Sequence, residues 1–174
     1  MLSDFNLLAS TMRGNERQMV YELQFLLKEA GDPEAKADRT GIRGLVVAKT
    51  ALDPVAAMEK FRATLEEKPY EFRYSLRIIP IQKVVRTNVE EIKAAASELT
   101  SKMSENETFR VTVEKRFTSI HTRDLIEAIA AEVKNKVDLD RPDKVVLVEV
   151  LGGYTGLSLL KPTDLISVLK EKML

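Results

Sequence analysis

The sequence predicts an α+β fold in two units, residues 1–77 and 78–174. Two observations carry this. Over the first unit the apolar spacing changes in the order strand, helix, strand, strand, helix, strand. Over the second, helix-spaced segments alternate with strands. One of these, Val145 to Val150, is almost continuously apolar, as a strand covered on both faces is. Hydrophobic residues make up 44% of the chain and recur with clean periods, which argues against disorder.

The first strand is read over Phe5 to Thr11, with Arg13 and Gly14 turning the chain. From Asn15 the spacing becomes helical: Val20, Leu23, Leu27 and Ala30 share a face that Met19 and Leu26 widen. Gly31 and Pro33 stop that helix. Two short strands follow, around Ala35 to Thr40 and Leu45 to Lys49, with Gly41 and Gly44 permitting a tight reversal. Asp53 is placed to cap a second helix with Pro54 at its first position. Met58, Phe61 and Leu65 line its buried side, and Pro69 ends it. One long extended segment is expected from Glu71 to Arg86, with a bulge or edge at Pro80. This order is the split βαβ arrangement of a ferredoxin-like (βαββαβ) unit, expected to pack on the second unit.

The second unit opens with a helix capped by Asn88, with Glu91 completing a capping box. Ile92, Ala95, Ala96, Leu99 and Met103 form its buried face. Thr108 to Lys115 reads as a strand with Phe109, Val111 and Val113 inward, followed by a polar turn from Phe117 to Thr122. A helix from Arg123 is expected to bury Ile126, Ile129, Ala130, Val133 and Val137. After the apolar strand, Gly152, Gly153 and Gly156 make a turn, Leu157 to Leu160 a short strand, and Pro162 starts a last helix with Leu165, Ile166 and Leu169 apolar.

Composition excludes several functions. The absence of cysteine removes disulfides, thiolate zinc sites, iron–sulfur clusters and cysteine nucleophiles. No stretch approaches the roughly 20 apolar residues that span a bilayer. Met1-Leu2-Ser3-Asp4 does not read as a signal peptide, so a cytoplasmic location is expected. Formal net charge is zero, so any nucleic-acid binding must come from a local basic face.

Catalytic and metal constellations are not legible. His121 is the single histidine and cannot supply two zinc ligands or a triad with its partners. Asp138, Asp140 and Asp143 are close in sequence, but Arg141-Pro142 and Lys144-Val145 occupy the positions where a calcium loop needs glycine and glutamate, so a solvated turn is preferred. Gly152 to Gly156 lacks the Lys-Ser/Thr pair of a phosphate-binding loop. No metal, no cofactor and no catalytic residue are therefore assigned.

The basic residues carry more. Arg110, Lys115, Arg116, His121 and Arg123 surround one strand and the turn after it, and Lys83 and Arg86 end the preceding extended segment. Arginine forks and a helix N-terminus both suit phosphate oxygens. Phe117 is the one ring in the turn, which disfavours single-strand stacking and is compatible with helical RNA read through phosphates and shape.

Thr108-Phe109-Arg110-Val111-Thr112-Val113-Glu114-Lys115-Arg116, then Arg123-Asp124-Leu125-Ile126, then Val137-Asp138-Leu139-Asp140-Arg141-Pro142-Asp143 leading into Val145 to Val150, resemble the THUMP domain of tRNA-modifying enzymes. Gly14-Asn15-Glu16 and Arg77-Ile78-Ile79-Pro80 resemble its stand-alone branch, and so does a chain that ends soon after the module. The resemblance implies a THUMP domain over 78–174 behind a ferredoxin-like domain over 1–77. It implies a non-catalytic adaptor that presents tRNA to a separate cytidine acetyltransferase, the enzyme bringing acetyl-CoA and ATP. Lys115 and Arg116 fit the module's basic strand end and Arg123 its helix start. Zero net charge and the lack of cysteine depart from relatives. The alternatives are a ferredoxin-like small-molecule-binding or regulatory domain without RNA contact, and a structural partner subunit.

Overall fold

The computed structural model describes residues 1–173. The chain forms two compact units, Met1–Ile81 joined by the chain from Asp164 onward, and Gln82–Thr163. The division falls four residues beyond the expected boundary at 77/78, and the C-terminal stretch belongs with the first unit.

The first unit is one antiparallel sheet carrying two long helices. Its strands are β1 (Leu7–Ser10), β2 (Lys36–Arg39), β3 (Leu45–Lys49), β4 (Arg77–Pro80) and β9 (Ile166–Ser167), in the order β2-β3-β1-β4-β9. Helix α1 (Glu16–Glu29) buries Met19, Leu23, Leu26 and Leu27, the face its spacing predicts. Helix α2 (Pro54–Glu67) starts where Asp53 accepts the Ala56 N–H at 2.9 Å and buries Ala57, Met58, Phe61 and Leu65. With Leu7, Ala9, Val46, Phe72 and Ile78 these form one core. Burying each large side chain contributes about 1.5–3 kcal/mol.

Two buried carboxylates fasten loops to this core. Glu22 of α1 accepts the N–H groups of Arg73, Tyr74 and Ser75 at 2.7–3.2 Å, together with the Ser75 hydroxyl. Asp32 accepts the Thr50 hydroxyl at 2.6 Å and the Ala51 N–H at 2.8 Å. These bonds, the Thr50 hydroxyl first, hold the Asp32 carboxyl below its ordinary range.

The second unit is a mixed sheet of β5 (Lys83–Arg86), β6 (Phe109–Arg116), β7 (Lys144–Leu151) and β8 (Tyr154–Leu160), in the order β5-β8-β7-β6. Strands β6 and β7 are parallel and joined through helix α4 (Thr122–Ala130), while the other pairs are antiparallel. Helix α3 (Val89–Thr100) carries the predicted cap, Asn88 accepting the Glu91 N–H at 2.8 Å. Its Ile92, Ala95, Ala96 and Leu99 pack with Leu125 and Ile129 of α4 over Val146, Val148 and Val150.

The structure corrects four expectations. The segment from Glu71 to Arg86 is not one strand. A 3-10 turn at Pro69–Glu71 precedes β4, and the N–H groups of consecutive residues then bond into different sheets. Ile81 donates to the Asn6 carbonyl at 2.8 Å, and Gln82 to that of Leu157 at 3.0 Å. Helix α4 buries Leu125 and Ile129 and ends at Ala130, with Val137 49% exposed. Beyond it, Lys136 and Asp138 bond the Phe109 backbone at 3.1 and 2.9 Å, which competes with another helical turn. Gly156 lies inside β8, and the reversal is made by Gly152, at φ +63°, with Gly153. Finally, Ile166 is not helical. It joins β9 against Arg77 and Ile78 and is fully buried, and only Val168–Lys172 form a short helix, α5. A free sheet edge beside an apolar core outweighs local helix spacing here.

Candidate nucleic-acid interface

The strand register of the second sheet brings the ends of four strands to one rim. Arg116 lies opposite Leu151, Leu151 opposite Tyr154, and Tyr154 opposite Arg86. The Gly152–Gly153 turn is fixed on both sides: the Gly152 N–H donates to the Arg116 carbonyl and the Thr87 N–H to that of Gly153, each at 2.9 Å. Helix α3 begins directly after β5, and α4 begins after the turn that follows β6, so both N-termini open at this rim. Asn88 caps α3. At α4 the capping position is His121, whose side chain makes no capping hydrogen bond. The uncapped end, with its partial positive charge, sits beside the basic strand end.

Five of the seven basic residues singled out by sequence meet here, with different freedom. Arg86 is exposed and has no ion-pair partner among the described residues. Lys115 is exposed, and its Nζ donates to the Ile120 carbonyl at 3.0 Å, closing the turn. Arg123, 86% exposed, pairs with Glu127 one turn along α4 at 2.8 Å, a surface pair of small energy. His121 is exposed. Arg116 is different: its guanidinium holds Glu149 at 2.5 Å, a carboxylate only 1% exposed in the middle of β7. Much of its charge is committed to the fold.

The other two lie away from the rim. Lys83 begins β5 and pairs with Glu98 of α3 at 2.6 Å. Its hydrogen bond, then its charge, hold the Glu98 carboxyl below the usual carboxylate range. Arg110 sits at the opposite end of β6, six residues from Arg116, or about 20 Å at ~3.3 Å per residue. It donates to the Leu139 carbonyl at 3.0 Å. The cluster expected around one strand end therefore loses these two members.

Two aromatic residues stand at the rim, Phe117, which the sequence places in the turn, and Tyr154, which it does not assign to the site. Phe117 takes φ +54°, a strained value for a bulky side chain, and is 81% exposed. Tyr154, in register with Arg86, is half-buried. Glu149 had a legible signal, a lone acid in the apolar run Lys144–Leu151. Two of the three aspartates, Asp138 and Asp143, also resolve as turn fasteners. Asp138 accepts the N–H groups of Asp140 and Arg141, and Asp143 binds the Thr108 N–H and hydroxyl. Among the described residues no group of three or more His, Cys, Asp or Glu is placed to hold a metal ion. Nor is any of their helices long and apolar enough to cross a membrane.

Residues 86–160 match the family model of the THUMP domain. Its match starts at Arg86, the last residue of β5, and ends at Leu160, the last of β8. The matched segment thus contains the whole basic rim and leaves out Lys83. Over 96 residues the chain is 36% identical to the THUMP domain-containing protein 1 homolog of Drosophila melanogaster. That alignment takes in 51% of this chain and 30% of the relative, so this chain spans under a third of that protein. Among solved structures, PH1313 from Pyrococcus horikoshii Ot3 is similar at a TM-score of 0.61 and 17% identity, over 91% of this chain and 55% of that one. A 4-thiouridine synthetase in complex with RNA, with bound ATP, is similar at a TM-score of 0.56 and 16% identity, over 91% of this chain and 42% of that one. At these identities the likeness is one of fold, and it reaches beyond the THUMP domain into the first unit.

Proposed function

We propose that this chain is a tRNA-binding adaptor, itself non-catalytic and cytoplasmic, that presents tRNA to a separate acetyltransferase forming acetylcytidine. The observation that carries the RNA part is the basic rim of the THUMP segment, where Lys115, His121 and Arg123 flank an uncapped helix N-terminus and Arg86 ends the strand at the other edge of the same sheet. Phosphate oxygens suit both the cations and the free N–H groups. The fold likeness to a synthetase solved with RNA is consistent with that surface. The first unit is read as ferredoxin-like, a reading supported by its antiparallel order β2-β3-β1-β4.

The chemistry falls to the partner, which brings acetyl-CoA and ATP. This chain's side chains bind and orient the RNA and require no metal or cofactor. The test combines binding with reconstitution. The chain binds tRNA in preference to equal-length duplex DNA, and acetylcytidine formation by a purified tRNA cytidine acetyltransferase rises when the chain is added. Preferential tRNA binding without any stimulation removes the adaptor role and keeps the RNA role. No preference for tRNA removes both.

A further inference from the structure

A second basic site lies in the first unit, assembled from segments far apart in sequence. The Ser10-to-Glu16 turn and the β2–β3 hairpin enclose an open pocket of about 280 Å³, with Gly14, Glu16, Arg17, Arg39, Ile42 and Arg43 among its walls. Arg13 flanks it in the same turn. All four arginines are exposed, and none has an ion-pair partner among the described residues. The one acid in the wall is already engaged. Glu16 accepts the Gly14 N–H through one oxygen and the Gly44 N–H through the other, each at 2.9 Å, tying α1 to the hairpin. The Gly44 N–H first, then Glu16's own and that of Gly14, keep this carboxyl below its ordinary range, with Arg39 adding to the effect. Gly44 permits the approach: it sits at φ +79°, and a Cβ there would lie 2.9 Å from the Thr11 carbonyl oxygen.

Three arginines, each ending in a guanidinium fork, thus line a pocket whose acid accepts from backbone donors. Such forks match phosphate oxygens bidentately. In a chain of zero net charge the concentration is local, not a by-product of a basic protein. We propose that the pocket walled by Arg17, Arg39 and Arg43 is a phosphate-binding site distinct from the THUMP rim. Its phosphate comes from the RNA backbone or from a free phosphorylated ligand. The proposal rests on the tRNA reading only for the first of these sources.

The test compares the full-length chain with Arg17→Ala/Arg39→Ala/Arg43→Ala and with a charge-matched control, Lys28→Ala/Lys36→Ala/Lys68→Ala. Two probes are used, tRNA and inorganic pyrophosphate, and thermal melts check that each variant folds. The expected result is tRNA binding weakened about tenfold or more near 0.1 M salt, with little change in the control. The log–log salt slope should become shallower by about 0.9 for each phosphate that the arginines no longer neutralise. Unchanged tRNA binding, with pyrophosphate held by the wild type and released by the arginine variant, sustains the site and assigns it a free ligand. If wild type fails to bind tRNA at all, the pyrophosphate arm alone decides the pocket. Equal weakening in variant and control, or no response to either probe, overturns the proposal.

Discussion

The two basic regions of this molecule are built in opposite ways. At the first of these, the rim of the second sheet, four of the five cations are close in sequence, from Lys115 to Arg123, and three of those four already have a partner: Arg116 in Glu149, Lys115 in the Ile120 carbonyl, Arg123 in Glu127. In the first unit the arginines come from two distant segments, 13–17 and 39–43, and stand exposed around a pocket whose acid is engaged elsewhere. Charge that clusters in sequence is therefore not the same as charge available to a ligand. What decides availability is the partner each cation already has.

The sharpest test of that contrast is Arg116. Arg116→Ala removes the guanidinium from a carboxylate that is 1% exposed. A loss of about 2–4 kcal/mol is expected in denaturant unfolding, somewhat below a fully buried pair because Arg116 is itself partly exposed. Adding Glu149→Gln should restore part of it. A loss of RNA binding by Arg116→Ala alone therefore says little about contact, and Arg86 and Lys115 are the better probes.

Next in size is Gly44→Ala, at the residue whose N–H holds the Glu16 carboxylate of the first-unit pocket. Positive φ and the short approach to Thr11 together should cost about 1–3 kcal/mol, seen as a lowered melting temperature. An unchanged melting temperature would mean that the hairpin adapts and the pocket wall is soft.

Asp32 supplies a pH test in the same unit. Its folded carboxyl is held below the ordinary range, so between the folded and unfolded values the unfolded chain binds more protons. The stabilisation is therefore present above the ordinary aspartate range and is lost as pH falls through the lowered folded value. Asp32→Asn should cost about 1 kcal/mol at neutral pH and flatten the acid side of the stability profile. A parallel profile for the variant would place the acid sensitivity elsewhere.

The smallest effect belongs to Arg123. Its exposed pair with Glu127 predicts a stability change below about 0.5 kcal/mol for Arg123→Ala, within the scatter of chemical denaturation. A larger change would mean that the rim depends on this pair after all.

Much of the fold was legible, because local rules and tertiary context agreed. The helix faces of α1 and α3, the Asp53 and Asn88 caps and the β2–β3 reversal all follow from spacing and turn residues. The failures share a cause. Ile166 carried helix spacing, but an open edge beside β4 claimed it. Val137 continued the apparent stripe of α4, but pairing next to Phe109 drew that segment away. Pro80 was legible as a disruption, whereas the transfer of the chain to a second sheet at Gln82 depends on partners distant in sequence. The site divides similarly. Proximity in sequence put Lys115, Arg116, His121 and Arg123 together, and strand register brings Arg86, already named from sequence, to the same rim. Register also sent Arg110 to the far end of β6, which proximity in sequence does not reveal. The arginine pocket stayed hidden because only the paired strands and Glu16 bring its halves together.

If this rim binds RNA through its exposed cations, Arg86 and Lys115 among them, salt-dependent tRNA binding of the chain will show it. Wild type, Arg86→Ala/Lys115→Ala and Lys134→Ala/Lys136→Ala are compared, all with melting temperatures measured. The rim variant should bind tRNA about tenfold more weakly, with a salt slope reduced by about 1–2, while the control stays near wild type. A rim variant that melts and binds like wild type would contradict RNA binding at this rim.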